Sequence, residues 1–497
     1  MTGNSGHGTQ AAPAASSEIP TRNERGIIAE SYYDLQGLAV LKNARARYAL
    51  PTASPESTLR AVFQSVDIVL LNLANILQRA AGDLDRGVLN DTSVKMLWAR
   101  GFHRLLARLS LIPHQLGFLI DHQNKHGVLR IADSPAFCEY LEALKTFDRA
   151  ALRLERVGVL RPGHVVANES LESAQFNLIH SARISNHEST IWERNLAHTT
   201  VPAAVPSYEQ FVVSDVMREA VYERVLTGDT YFTQFRGLHQ VPEILGEEIN
   251  DRLEQAIRDV RAERLREAVD QLRCVDVLSD GILASLPPMI DNLATSDYHQ
   301  IRENLGLTSG SHSVCLRFDM FTNLYEQLWD ELKKQIEPSG HEEHTDSVEN
   351  ALVGVQNRRF NDWRSWTQHI LTNYCSKFQA FIFHWRDEHL NLPRNNLGGE
   401  FTKSLTGSPD AVQAVKHMRD AARLRDPMQP LLRAQGLVAD GSAVGALTRY
   451  LESDASWDTH ILSVTGKTTQ ERFHDVQERL GYFANKCPFT PPARREA

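Results

Sequence analysis

Cysteine is scarce in this 497-residue chain. There are five, at Cys138, Cys274, Cys315, Cys375 and Cys487, and none forms a CxxC pair. That scatter excludes a zinc ribbon and points to reduced thiols, as in a cytoplasmic protein. An excess of positive charge is also missing: 53 Lys and Arg face 62 Asp and Glu, for a net charge of −9. A general nucleic-acid role is therefore disfavoured. No apolar run approaches the ~20 residues that span a bilayer, so no membrane role is expected. The opening MTGNSGHGTQAAPAASSEIP lacks a basic patch followed by a hydrophobic segment. It reads as a flexible tail over 1–24, matched by another over 490–497.

What the chain has is apolar residues, 42 % of the total, enough for two domains or one large helical body. They recur every three or four positions along 59–84, 241–272, 313–336 and 362–392, whereas strand-like alternation is nearly absent. The expectation is an all-α bundle. Its breaks are Pro- and Gly-rich segments such as LRPGH (160–164) and LPRNNLGG (392–399), and the acidic 338–350 reads as disordered.

A weak internal repeat divides the chain. SYYDLQGLAVLKNA (31–44) matches SYEQFVVSDVMREA (207–220), and FQSVDIVLLNL (63–73) matches FRGLHQVPEIL (235–245) at nearly the same offset. This pairing sets Asp67 opposite His239. Two bundles follow, over 25–200 and 205–489, joined near TTVPAAVPS (199–207).

Four segments could carry chemistry. On a helix over 362–392, Trp363, Trp366, Ile370, Tyr374, Phe378, Phe381 and Trp385 form one stripe, and one more turn reaches His389. His384 shares a face with Lys377 and Glu388 and lies about 140° away. An inward His389 is either a core residue bonded to a carbonyl or a nitrogen donor for iron. In FRGLHQVPEIL, His239 sits one turn after Phe235, and Pro242 suits the start of a helix. In LTSGSHSVCLRFDMF (307–321), Arg317 lies among apolar neighbours. It needs an anion, from either an internal carboxylate or a ligand. SLTGSPDA (404–411) could contact a ligand's amine or carboxylate, or be a plain turn. HEEHTD (341–346) lacks the HExxH spacing of a helical zinc site.

In this order and spacing, the segments resemble the tryptophan 2,3-dioxygenase superfamily of haem-dependent aromatic oxygenases. Phe235-Arg-Gly-Leu-His239-Gln240 is similar to its F-x-x-x-H-Q motif, and Ser309 to Arg317 to its S-G-F-Q-S-x-x-x-R motif. Trp385-Arg-Asp-Glu-His389 is similar to W-R-x-x-H, and Tyr208-Glu-Gln-Phe211-Val to Y-x-x-Y/F-L. The likeness spans roughly residues 205 to 415. The family's Gly-Thr-Gly-Gly-Ser-Ser-Gly loop is replaced by GGEFTKSLTGSPD, closer to the family's secondary-metabolism branches, which include haem-dependent tyrosine hydroxylases.

The resemblance implies a helical bundle of tryptophan 2,3-dioxygenase type with haem b, and O2 as co-substrate. The N-terminal bundle would be a degenerate, haem-free copy. His389 would be the axial ligand beside Trp385, and His239 the catalytic residue over the haem. Arg317 would clamp the carboxylate of an aromatic, tryptophan-like substrate. Phe235, Tyr208 and Phe211 would wall its ring, with Thr406 and Ser408 as further contacts. The implied reaction is dioxygenation, with hydroxylation of tyrosine or tryptophan as the alternative. A non-catalytic haem sensor or carrier and a haem-free scaffold are rivals of other classes. A fused second bundle would replace a neighbouring subunit, giving a monomer or homodimer.

Overall fold

A computed structural model describes residues 37–47, 49–117, 126–156, 198–202, 207–222, 231–305, 325–332, 334–335, 355, 361–397 and 410–424. The described chain is all-α apart from one antiparallel ribbon. There β1 (His126–Arg130) pairs with β2 (His198–Pro202). The helices used below are α1 (Leu38–Arg47), α2 (Pro55–Asp85), α3 (Leu89–Gln115), α4 (Pro135–Arg156), α5 (Tyr208–Val212), α6 (Ser214–Tyr222), α7 (Phe232–Arg261) and α8 (Leu265–Ala284). After them come α9 (Leu286–Asn292), α10 (Thr295–Leu305), α11 (Trp363–Leu397) and α12 (Ala411–Leu424).

Helix α2 shows how the sequence starts these elements. Ser54 is its N-cap, accepting from the Ser57 amide at 3.0 Å, and Pro55 follows at the first helical position, where no N–H is needed. Apolar side chains then point inward almost all the way round. By length and composition α2 is apolar enough to cross a membrane, which corrects the reading that no segment is. Nearly all of that apolar window is buried inside the protein, so α2 serves here as a core helix.

Two long hairpins organise the body. Helices α2 and α3 form one, and α7 and α8 the other. The periodic run 241–272 therefore conceals a turn that no Gly or Pro announces. Glu263 takes the left-handed conformation at φ 58°, and the chain reverses there. The two turns are built alike. Gly87 N–H donates to the Leu84 carbonyl at 3.0 Å and Val88 N–H to the Asp83 carbonyl at 2.8 Å. In the other hairpin, Glu263 N–H donates to Val260 at 3.0 Å and Arg264 N–H to Asp259 at 2.8 Å.

Equivalent atoms thus differ by 176 positions, the offset that already pairs 31–44 with 207–220. Under this single register Phe63 is the counterpart of His239, and Asp67 that of Glu243. The pairing of Asp67 with His239 was one helical turn out of step.

Helices α2 and α7 cross antiparallel, with small residues where they touch. A Cβ on Gly237 would run into the Asn72 amide. At the mirrored end, Glu248 accepts from Thr58 Oγ1 at 2.6 Å and Ser57 Oγ at 3.0 Å. It pairs with Arg252 at 3.2 Å, and Arg252 also holds the Ser54 carbonyl at 2.6 Å. One continuous core runs from Leu38 to Leu392 and draws on both halves.

Helix α11 packs along α8 and runs parallel to it. Arg266 lies over the Trp363 ring at 5.0 Å, and one region further on Lys377 pairs with Asp276 at 2.8 Å. Two details depart from the sequence reading. Trp363 and Trp366, at the head of the predicted stripe, are 55 % and 44 % exposed, and burial begins at Thr367. Pro242 lies ten residues inside α7 rather than at its start. It deprives the Leu238 carbonyl of its usual donor, immediately before His239.

Candidate functional site

Because α7 runs antiparallel to α8 and α11 runs parallel to it, the early part of α7 and the late part of α11 meet at one end of α8. His239 and His389 occupy those two places. Their helices pack on α8 and make no extended backbone contact with each other. The imidazoles are nonetheless close enough that charge on His239 disfavours charge on His389.

His239 is buried, and its Nδ1 lies 2.7 Å from the Phe235 carbonyl one turn earlier. A carbonyl only accepts, so Nδ1 carries the proton and Nε2 keeps a lone pair. The Phe235 ring lies 4.2 Å from the imidazole, centroid to centroid. Burial holds the His239 pKa down at about 4, with the Phe235 carbonyl pulling weakly the other way.

His389 stacks on Trp385 at 4.9 Å, with the planes 7° apart. Its side chain is surrounded by protein but keeps some accessible surface. Burial, then the His239 and Arg386 charges, depress its pKa to about 4. No hydrogen bond to the His389 ring occurs among the described residues. His384 is exposed, as its helical phase predicts. At pH 7 the site therefore presents two neutral imidazoles, each with a nitrogen lone pair available.

The other predicted residues divide. Phe235 and Trp385 line the two histidines. Tyr208 and Phe211 are buried, and Tyr208 faces the other hairpin. Tyr208 sits edge-on to Phe63 at 5.5 Å, and its hydroxyl donates to Asp67 at 2.9 Å. Asp67 also receives Ser134 Oγ at 2.7 Å and Ser214 Oγ at 3.0 Å. Burial outweighs these three donors and raises its pKa to about 6. Arg317, Thr406 and Ser408 lie outside the described residues.

Sequence reasoning missed two groups. One is the buried Arg386, whose charge reaches His389; its position inside W-R-x-x-H was the available signal. The other is the Asp67 cluster, assembled from α2, the start of α4, α5 and α6, which no local spacing announces. Among the described residues, no group of three His, Cys, Asp or Glu could hold a bare metal ion. The three described cysteines form no disulfide, and burial pushes the Cys274 thiol up to about 12. No family model, curated protein or solved structure matches the chain.

Proposed function

We propose that the chain is a haem-dependent oxygenase acting on an aromatic amino acid or an indole derivative. The observation that carries the reading is that His239 and His389, 150 positions apart in sequence, are both neutral imidazoles and lie near enough for charge on His239 to disfavour charge on His389. A neutral imidazole nitrogen that makes no hydrogen bond within the protein is available to a ligand. The residues present would suit haem b: His389 would supply a nitrogen donor, with the Trp385 ring stacked on it and the basic Arg386 close by. The cofactor, when bound, supplies the activation of O2.

The chain's own residues then bind, orient and exclude water. His389 offers a lone pair at any pH above about 4. His239, fixed through Nδ1, points an acceptor Nε2 toward the substrate side and can take a ring N–H hydrogen bond. Phe235 keeps that side apolar. Arg317 is assigned the substrate carboxylate, and Thr406 and Ser408 its amine or a haem propionate, on sequence grounds alone. Dioxygenation is the favoured outcome and hydroxylation the alternative. A fused pair of bundles leads us to propose a monomer or homodimer, which light scattering tests.

The test is visible spectroscopy of protein expressed with a haem precursor. The expected result is a Soret band that His389→Ala abolishes and His239→Ala retains. No band in the parent protein would overturn the reading. A low-spin spectrum in which both histidines ligate iron would favour the non-catalytic haem carrier. With the band established, turnover under ¹⁸O2 with tryptophan, tyrosine and indole analogues counts the oxygen atoms added.

A further inference from the structure

Pro242 interrupts the hydrogen-bond ladder of α7 just beyond His239. The ten residues before it are therefore joined to the rest of the helix by one bond fewer, a common origin of kinks. At the other end Tyr231, the N-cap, makes no side-chain capping bond. The placement of this segment, and of His239 within it, falls to contacts with other elements.

Two such contacts flank His239. Arg236, 1 % exposed, donates through Nη2 to the Ala220 carbonyl and to the Val221 carbonyl, the latter at 2.6 Å. Gln240 Nε2 donates to the same Ala220 carbonyl at 2.9 Å. Ala220 and Val221 lie in the last turn of α6, where a helix has carbonyls without internal donors. A cation there is also favoured by the helix dipole. Arg236 stands three residues before His239 and Gln240 one after it, so both sides of the turn that carries the imidazole are tied to one place. The carbonyl that receives His239 Nδ1 belongs to Phe235, whose peptide bond leads into Arg236.

Helix α6 is itself held at both ends. Ser214 Oγ donates to Asp67 at 3.0 Å, and the Tyr222 hydroxyl donates to Glu139 at 2.7 Å. The carbonyls that receive Arg236 and Gln240 thus sit on a fixed strut. The first half repeats the arrangement around a residue without acid–base chemistry. There Arg60-Ala-Val-Phe63-Gln64 is the counterpart of Arg236-Gly-Leu-His239-Gln240, and Gln64 Nε2 donates to the Val212 carbonyl at 3.0 Å.

We propose that Arg236 and Gln240 are positioning residues for His239, tying the turn set apart by Pro242 to the C-terminal end of α6. Burial and the Phe235 carbonyl account for the His239 pKa, so Arg236 acts by placing the backbone rather than by its charge. The use of this tie in catalysis rests on the proposed role of His239; the tie does not.

The test needs no haem. Ring ¹⁵N NMR of the full chain, with His239→Phe identifying the resonances, reads which His239 nitrogen carries the proton. Arg236→Met and Gln240→Leu are expected to replace the single Nδ1–H form by a mixture of tautomers. Arg236→Lys, which still donates to the α6 carbonyls, is expected to keep that form. Gln64→Leu cuts the counterpart bond in the first half and is expected to leave the His239 ring as in the parent. A ring unchanged in both Arg236→Met and Gln240→Leu, or altered as much by Gln64→Leu, would overturn the proposal. If Arg236→Met fails to fold, Gln240→Leu, which removes an uncharged group, decides alone. In haem-loaded protein Arg236→Met and Gln240→Leu are expected to raise KM for the aromatic substrate several-fold while changing kcat less, with Arg236→Lys restoring the parent value. Because the NMR result is obtained without haem, an absent Soret band fails the haem reading and leaves this one standing.

Discussion

The α2–α3 and α7–α8 hairpins share turn geometry, register and many side chains, yet their centres behave oppositely. In the first, Phe63 packs against Tyr208, and the ionisable group one turn on, Asp67, is satisfied by three hydroxyls. In the second, His239 holds a carbonyl with one nitrogen and leaves the other open. One hairpin spends its interior on packing, and the other keeps a lone pair in a dry place. A scaffold used twice can carry chemistry in one copy only, because replacing a phenyl ring by an imidazole hardly changes volume but adds an acid–base group.

The harshest way to break the comparison is to remove what joins the halves. Glu248→Ala leaves the Arg252 guanidinium buried without its carboxylate, and a stability loss of about 3–5 kcal/mol is expected. Urea denaturation of the parent should show one cooperative transition, since the core is continuous. Two separate transitions would mean that the halves fold independently.

Acid titration sharpens the contrast, because the two buried groups act with opposite signs. The His239 pKa is lowered from 6.5 to about 4, so the unfolded chain takes up its proton first and stability falls as pH drops through that window. Asp67 is raised from 3.8 to about 6, so its burial penalty is present above pH 6 and lifts as pH falls towards 4. Each effect has a ceiling of about 3 kcal/mol. His389, also held at about 4, acts in the same direction as His239. Denaturation between pH 4 and 7 should therefore be less pH-dependent in His239→Phe and more so in Asp67→Asn. Identical pH profiles in both variants would contradict these assignments.

The smallest effect compares the two crossing residues. Gly237→Ala drives a methyl group into Asn72 and should cost about 1–3 kcal/mol. Ala61→Gly, at the equivalent place in α2, loses only helix propensity, about 1 kcal/mol. Equal losses in thermal denaturation would remove the tight contact as the reason for glycine.

The helices were legible because three- and four-residue periodicity forces amphipathic segments into that conformation. The α7–α8 turn was not, since a left-handed glutamate carries no compositional mark. The phase of α11 turned His389 inward and His384 outward without any coordinates, although the same phase wrongly buried Trp363 and Trp366, which lie beyond the end of their packing partner. Tyr208 and Phe211 were taken for walls of the His239 site. Tyr208 instead faces Phe63 and Asp67, because the segment before Val213 packs on α2.

By itself the sequence determined helix content and the phase that sets His389 and His384 on different faces, both of which follow from local spacing. Tertiary structure decided the shared turn geometry of the two hairpins, the proximity of His239 to His389, and the seating of Tyr208 on Phe63 and Asp67. The last two depend on side chains far apart in the sequence, and only packing brings such residues together.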